Sequence, residues 1–179
     1  MTVAALKTFG MIEGFIRGLR QPEYVHVLLN PLPVYGLLIS WIGLIAALIS
    51  KSRRAQIVTL ILVFITSISA WPVYEFGKEG YDRVLAMTDD DGNAWLDEHE
   101  ERAEKLIYIF YALAALSVAG IVVPLRWPKS TVPLAIVVVL LGAIALGSGC
   151  YIAYAGGKIR HREFRTEPAP PIRAEQEHD

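Results

Sequence analysis

The sequence predicts an all-α membrane protein in which four transmembrane helices form two antiparallel hairpins. Two observations predict this class: four long stretches contain no charged residue, and the links within each pair of stretches are only a few residues long. The composition agrees, since 54% of the 179 residues are hydrophobic and the mean hydropathy is +0.40. These values exceed those of an average soluble domain.

Each charge-free stretch is long enough to cross a bilayer. The stretches contain 23, 20, 20 and 28 residues, and they are Leu28–Ser50, Ala55–Tyr74, Leu106–Leu125 and Ser130–Gly157. About 20 apolar residues in a helix span the hydrocarbon core. Because lipid offers no hydrogen-bond partners to the backbone, we expect helices and not strands.

The links between the stretches define the predicted topology. Lys51–Arg54 and Arg126–Lys129 are too short for anything but tight hairpin turns. A longer acidic connecting segment, 75–105, separates the two hairpins, so it shares a membrane face with both termini. That face carries twelve Lys and Arg residues against five on the face of the turns. The turns are nevertheless the denser basic clusters, so charge leaves the membrane side undecided.

The two ends of the chain differ from the transmembrane domain, which we assign to residues 24–157. In the N-terminal segment, 1–23, apolar residues recur every three or four positions, at Leu6, Phe9, Ile12, Ile16 and Leu19. This spacing predicts a short helix lying in the membrane interface. The C-terminal segment, 158–179, is polar and contains three prolines, which predicts a disordered tail.

A pair of histidines occupies equivalent positions before the two hairpins. His26 and His99 precede their hairpin turns by 25 and 27 residues, and each is followed nine residues later by a tyrosine, Tyr35 or Tyr108. Two facing imidazoles are the axial ligands that a haem b held between helices requires. Copper or another transition metal is a second interpretation. A third is that both histidines lie at headgroup depth and bind nothing.

The acidic segment contains a second candidate site, which resembles a twelve-residue calcium loop. Its proposed ligands are Asp89, Asp91, Asn93, Trp95 through its carbonyl, Asp97 and Glu100. Ala94 departs from the pattern, since the sixth position of such a loop favours glycine. The alternative is an Asp-rich turn that caps a helix beginning near Trp95, with ion pairs at Glu98–Arg102 and Glu101–Lys105.

Residues 24 to about 155 resemble a group of bacterial four-helix membrane proteins of the DUF2231 type. The resemblance rests on HVLLNPLPVYG (His26 to Gly36), AWPVYEFG (Ala70 to Gly77) and WLDEHEERA (Trp95 to Ala103). It implies a redox-associated module in the bacterial inner, cytoplasmic membrane. Relatives often carry a histidine at the position of Pro31.

These observations predict a function without catalysis. No phosphate-binding loop, nucleophile triad or metalloprotease motif is present in the sequence, so we expect no catalytic residue. The first interpretation is a haem- or metal-binding module of a redox system. The alternative is a structural or assembly subunit with a calcium-stabilised acidic loop. We expect the lipid bilayer, and other membrane or redox subunits, as partners, and no nucleic acid.

Overall fold

The structure is a computed structural model that describes residues 3–171, with side chains from Met11 onward. All regular structure in this part of the chain is helical. The helices are α1 (Val3–Gly18), α2 (Pro22–Leu29), α3 (Leu37–Ile49), α4 (Arg53–Ile68), α5 (Ala70–Glu79), α6 (Tyr81–Leu85), α7 (Asp90–Arg126) and α8 (Thr131–Arg160).

Four helical stretches are long and apolar enough to cross a membrane, by length and composition. They are Pro22–Ile49, Arg53–Glu79, Asp90–Arg126 and Pro128–Arg160. Only 28–39% of the most apolar window in each stretch is buried inside the molecule. Large apolar side chains such as Ile39, Leu125 and Leu140 therefore point outward. An outer surface this apolar is incompatible with water and indicates a multi-pass membrane protein.

Prolines modify the first stretch. A single π-helical turn, Leu32–Gly36, joins α2 to α3, and it contains Pro33. Proline lacks the N–H that an α-helix would direct to the carbonyl four residues earlier. A π turn changes the hydrogen-bond register at such a point without ending the helix. The stretch therefore stays continuous while α2 and α3 are rotated relative to an ideal helix.

Small residues set the packing of α3 against α4. A Cβ added to Gly36 would lie 2.9 Å from Thr66 Cγ2, and one added to Gly43 would lie 3.0 Å from Thr59 Cγ2. Ser40 and Ala47 on the same face are buried. Close backbone approach between these two helices consequently requires the glycines.

Helix α8 has small residues in two registers, and only one of them faces the bundle. Ala145 and Gly149 are buried in the bundle. Gly147 has open space beside it, so the Ala143–Gly147 register faces outward. The unpredicted contact is at Gly142, where a Cβ would lie 2.7 Å from the indole of Trp41.

One end of the bundle, which we call the turn end, contains both short links, residues 50–52 and 127–130. Ser52 caps α4, its hydroxyl accepting from the N–H of Ala55. Arg53 crosses to α7 and donates to the carbonyls of Gly120 and Ile121 at 3.2 and 3.3 Å. Pro124 lies inside α7, and its missing N–H is the one that Gly120 would otherwise accept. Arg53 thus satisfies a carbonyl that the helix itself leaves free.

The opposite end, which we call the histidine end, is made by α2, α5, α6, the start of α7 and the end of α8. The connecting segment predicted at 75–105 is mostly helical and belongs to this end. Its first part continues as α5 and α6, and α7 begins at Asp90. Arg83 of α6 forms an ion pair with Glu23 of α2 at 3.0 Å. Trp95 and Leu96 are buried here against Ala155 and Ile159.

The segment predicted as a disordered tail from residue 158 is folded through residue 171. Helix α8 continues to Arg160, and Lys158 is 1% exposed. The ammonium of Lys158 lies 4.2 Å from the ring centre of Trp95 and 3.9 Å from that of Tyr154. It also pairs with Glu167. Cation–π contacts and an ion pair order a sequence that has little apolar surface of its own. Residues 172–179 lie outside the described part.

The N-terminal segment forms helix α1 over Val3–Gly18, where the sequence predicted a short helix. Its described apolar side chains are exposed, with Met11 at 74% and Phe15 at 50% of their full accessible area. This side of the helix does not pack against the bundle. The placement in the membrane interface stays a prediction.

Candidate functional site

The candidate site lies at the histidine end and is built around His26 of α2. Its Nδ1–H donates to the backbone carbonyl of Val73 on α5, at 2.7 Å. One turn later on α5, Gly77 leaves the space that the ring fills, because a Cβ there would lie 2.9 Å from His26 Nδ1. A carbonyl and a glycine four residues apart therefore position this imidazole.

His99 of α7 is held in the same way by α8. Its Nδ1–H donates to the carbonyl of Ile152 at 2.9 Å. Gly156, again four residues further along, would place a Cβ 3.0 Å from the His99 ring. Each histidine thus stands on the leading helix of its pair and is held by the following helix. The two halves of the site are related as repeats of one plan.

The structure brings the two imidazoles together. Their ring centroids are 6.1 Å apart, and the ring planes are perpendicular, at 90°. Both residues are partly buried. The residues that the sequence paired by position are therefore neighbours across the bundle.

The hydrogen bonds fix the tautomer of both rings. A backbone carbonyl can only accept, so Nδ1 of each ring must carry the proton. In a neutral imidazole this leaves the lone pair on Nε2. Within the part of the chain that the structure describes, Nε2 of neither ring has a hydrogen-bond partner. Carbonyl-bound Nδ1 and a free Nε2 are the state in which histidine binds a metal.

Two adjoining cavities border the histidine pair. The inner cavity, about 60 Å³, is apolar, and its walls include Val34, Ile107 and Phe110. The outer cavity, about 550 Å³, reaches the surface of the histidine end, where Lys78 and Arg160 line it. Both histidines line both cavities. The site therefore changes from apolar to charged along the axis of the bundle.

Sequence analysis identified the two histidines but not the groups that hold them. Val73 and Ile152 act through their carbonyls, which leave no trace in residue type. Gly77 and Gly156 are each in the second helix of their pair, but their residue type alone does not connect them with the histidines. Their spacing from the histidines differs, however, at 51 and 57 residues. If the second helix of each pair is aligned separately from the first, Gly77 and Gly156 take equivalent positions.

The proposed calcium ligands lie along a helix and not around a loop. Helix α7 begins at Asp90, so Asn93, Asp97 and Glu100 lie one after another along one face of the helix, and Asp91 lies on another face. Asp97 accepts a short hydrogen bond from the hydroxyl of Tyr81, and Asn93 accepts one from Thr88. Trp95, proposed to act through its carbonyl, is a buried core residue. No three His, Cys, Asp or Glu side chains form a metal-binding group among the described residues.

Asp89 is the N-cap of α7, which is the alternative that the sequence analysis kept open. Its carboxylate accepts from the N–H of Gly92 at 3.0 Å and from both Nη atoms of Arg165 at 2.9 and 3.0 Å. The bidentate hydrogen bond from Arg165 holds the pKa of Asp89 well below its usual range. The expected ion pairs Glu98–Arg102 and Glu101–Lys105 are both present.

Gly92 has a role that the loop pattern concealed. A Cβ at this position would lie 2.6 Å from the carbonyl oxygen of Ile159 and 2.8 Å from Oδ1 of Asp89. The glycine therefore lets the end of α8 approach the start of α7. Arg165 completes the contact by donating to the carbonyls of Lys158 and Ile159.

Comparison with known proteins gives no matching family model, no matching curated protein and no matching solved structure. The resemblance to the DUF2231 group therefore stays a prediction.

Proposed function

We propose that the protein is a non-catalytic haem-binding module of a membrane redox system, with His26 and His99 as the two axial ligands. The observation that carries this proposal is the opposed pair of imidazoles. Each has its Nδ1 fixed by a carbonyl and its Nε2 left free.

The distance between the rings suits a single metal centre. Two metal–nitrogen bonds of about 2.0–2.1 Å, with the distance from each nitrogen to its own ring centre, place the centroids about 6–6.5 Å apart. The observed separation is 6.1 Å. Edge-to-face ring pairs without a metal also lie about 4.5–7 Å apart, so the spacing is compatible with a metal centre and the optical spectrum below tests for one.

The surroundings favour haem over a bare ion. A porphyrin needs apolar surroundings, which the inner cavity of about 60 Å³ would supply beside the histidines, and a volume that only the adjoining outer cavity of about 550 Å³ offers. Lys78 and Arg160 at the outer rim would pair with the haem carboxylates. A bare copper ion would use the two nitrogens and leave this space without a role.

Bound haem supplies one-electron chemistry. The chain's own residues orient and tune it. The carbonyls of Val73 and Ile152 fix the ring planes and raise the electron density at each Nε2. With His26 and His99 both holding the haem, the iron would have no open position for a substrate. Electron transfer, and not catalysis, is the function that such a centre supports.

The test is the optical spectrum of the protein purified after expression with haem supply, together with metal analysis. We expect a Soret band and the narrow visible bands of a six-coordinate centre. His26→Ala and His99→Ala should each lose that six-coordinate spectrum, and added imidazole should restore it. A colourless protein containing stoichiometric copper would replace haem with copper. A colourless, metal-free protein would support a structural or assembly subunit.

We also propose that the four apolar stretches form two transmembrane hairpins in a bacterial inner membrane. Both termini and the acidic segment would lie on one side. The tight links at the turn end and the shared position of α2, α5 and the end of α8 at the histidine end support this topology. Redox partners would then approach the histidine end. Single-cysteine labelling, described below, tests it.

A further inference from the structure

A second cavity lies at the turn end, far from the histidines. It has a volume of about 560 Å³ and lies between the turn that joins α3 to α4 and the start of α8. Its lining combines Lys51, Arg53 and Gln56 with the apolar residues Ile49, Val132 and Ile136. Nothing in the haem proposal uses this cavity.

The charge at this end is of one sign. Residues 50–54 and 126–130 contain five Lys or Arg residues and no Asp or Glu. The ion pairs of the described residues all lie elsewhere. The cavity is therefore an electropositive site with no internal counter-ion, and it favours an anion.

Two polar side chains in the lining have unsatisfied atoms. Nη2 of Arg53 is committed to α7, but its Nη1 is buried without a partner among the described residues. Gln56 is 4% exposed; its amide nitrogen donates to Ala47, and its Oε1 is also buried without a partner. A buried unpaired group costs about 1–3 kcal/mol. Both atoms lie beneath the lining, so the charge that the cavity offers to a ligand comes from Lys51 and from the rest of the Arg53 guanidinium.

The apolar part of the lining continues onto the outer surface. Ile49, Val132 and Ile136 are 77%, 52% and 47% exposed, on the side of the helices that faces the hydrocarbon. A free anion would gain nothing from these side chains. A ligand with acyl chains would pack along them while its charged group stays at the level of the turns.

We infer that this cavity binds an anionic glycerophospholipid. The phosphate would lie at Lys51 beside the guanidinium of Arg53, and an acyl chain would follow Val132 and Ile136. This inference does not depend on haem binding. It assigns the basic turns a role in lipid recognition.

The experiment measures thermal unfolding of the full chain in neutral detergent, during titration with phosphatidylglycerol, phosphatidylcholine or inorganic phosphate. We expect phosphatidylglycerol to raise the midpoint in a saturable way, and the other two probes to have little effect. Lys51→Gln should weaken the apparent affinity about fivefold, the usual effect of one basic residue at an anionic headgroup. Val132→Trp, which fills the apolar wall, should abolish saturation.

Lys129→Gln is the matched control. It removes one exposed charge from the same end but from outside the cavity, so it should leave the titration unchanged. Equal stabilisation by both lipids, or equal losses in Lys51→Gln and Lys129→Gln, would overturn the proposal in favour of nonspecific charge attraction. Stabilisation by phosphate alone would also overturn it, because the apolar wall would then have no part. Lys51 is exposed, so its variant tests the site even where Val132→Trp does not fold.

Discussion

At the scale of single residues, two glycines leave the space in which the two histidine rings lie. Gly77 and Gly156 have no side chain because the imidazoles occupy that space, at 2.9 and 3.0 Å from the missing Cβ atoms. A glycine inside a helix costs about 1 kcal/mol relative to alanine. The structure accepts that cost twice, at equivalent positions, to place two rings.

This geometry gives a first prediction. Gly77→Ala or Gly156→Ala should displace its imidazole while leaving both ligands in the chain. Strain of about 1–3 kcal/mol from the added methyl group would weaken haem binding about 5- to 150-fold, which haem transfer to apomyoglobin can measure. Gly147→Ala is the control, since nothing lies within 4 Å of a Cβ at that position. Unchanged haem affinity in all three variants would contradict the proposed ligation.

A second prediction concerns Asp89 and pH. Because hydrogen bonds from Arg165 lower the pKa of Asp89 in the folded protein, its contribution to stability is complete above the ordinary aspartate pKa of about 3.9. The contribution is lost as pH falls through the lower folded pKa. Asp89→Asn should therefore destabilise the protein near neutral pH, and its unfolding midpoint should converge with that of the wild type in strong acid. A difference between the two unfolding midpoints that stays constant at all pH values would contradict the ion pair between Asp89 and Arg165 as the source of this stability.

At the scale of helices, the interruptions by proline are matched by side chains from elsewhere. Pro124 frees the carbonyl of Gly120 within α7, and Arg53 of α4, in the first helix pair, donates to it. The π turn at Leu32–Gly36 serves the same purpose through the backbone. In lipid no water is available for such groups, so every broken helical bond needs a replacement.

The third prediction tests this compensation with a double-mutant cycle. Arg53→Gln should destabilise the protein by about 1–3 kcal/mol, because it leaves a buried carbonyl without its donor. In a Pro124→Ala background, α7 supplies its own N–H to Gly120, so the same change should cost less. Thermal unfolding in detergent gives both values. Arg54→Gln, an exposed neighbour, is the control, and strict additivity of Arg53→Gln with Pro124→Ala would contradict the coupling.

The last turns of α8 show how a polar segment becomes ordered. Arg165 joins the cap of α7 to the final carbonyls of α8, and Lys158 is enclosed by Trp95 and Tyr154. Planar, bidentate arginine contacts of this kind fix orientation as well as distance. They hold the end of α8 beside the outer cavity, in which we propose that haem binds and whose rim includes Arg160.

At the scale of the whole molecule, the two ends have different chemistry. The histidine end contains the imidazole pair and the acidic start of α7. At the turn end, every charged residue in the links is basic. We propose that these ends lie on opposite membrane faces. The bundle would then present a redox centre to one compartment and anchor to anionic lipid at the other face.

The fourth prediction tests this arrangement by labelling. In a Cys150→Ala background, single cysteines replace Ser50 and Lys129 at the turns and Thr166 at the histidine end, all of them exposed positions. A membrane-impermeant maleimide applied to spheroplasts should either label both turn positions and not Thr166→Cys, or label Thr166→Cys and neither turn position. Labelling of Thr166→Cys together with either turn would overturn the proposed topology. The result also decides the orientation that the charge count leaves open.

The sequence alone determined the class of the fold. The length of a stretch without charged residues is a local property, and it decides whether a helix can span the bilayer. It also identified His26 and His99, because equivalent positions in a repeated plan are visible without coordinates. The calcium site stays a prediction, because the spacing of its residues along the chain is the same in a loop and in a helix. Only the structure shows that Asp89 pairs with Arg165, 76 residues away, and that Asp91 onward is helical.

The tertiary structure decided everything that depends on backbone atoms and distant contacts. The carbonyls of Val73 and Ile152, the space left by Gly77 and Gly156, and the 6.1 Å between the rings arise only when four helices pack. The folded tail follows the same rule, since the sequence from residue 158 is polar and proline-rich by itself. It is ordered because Trp95, Tyr154 and Asp89 present partners for its cations, and a one-dimensional pattern contains no record of such partners.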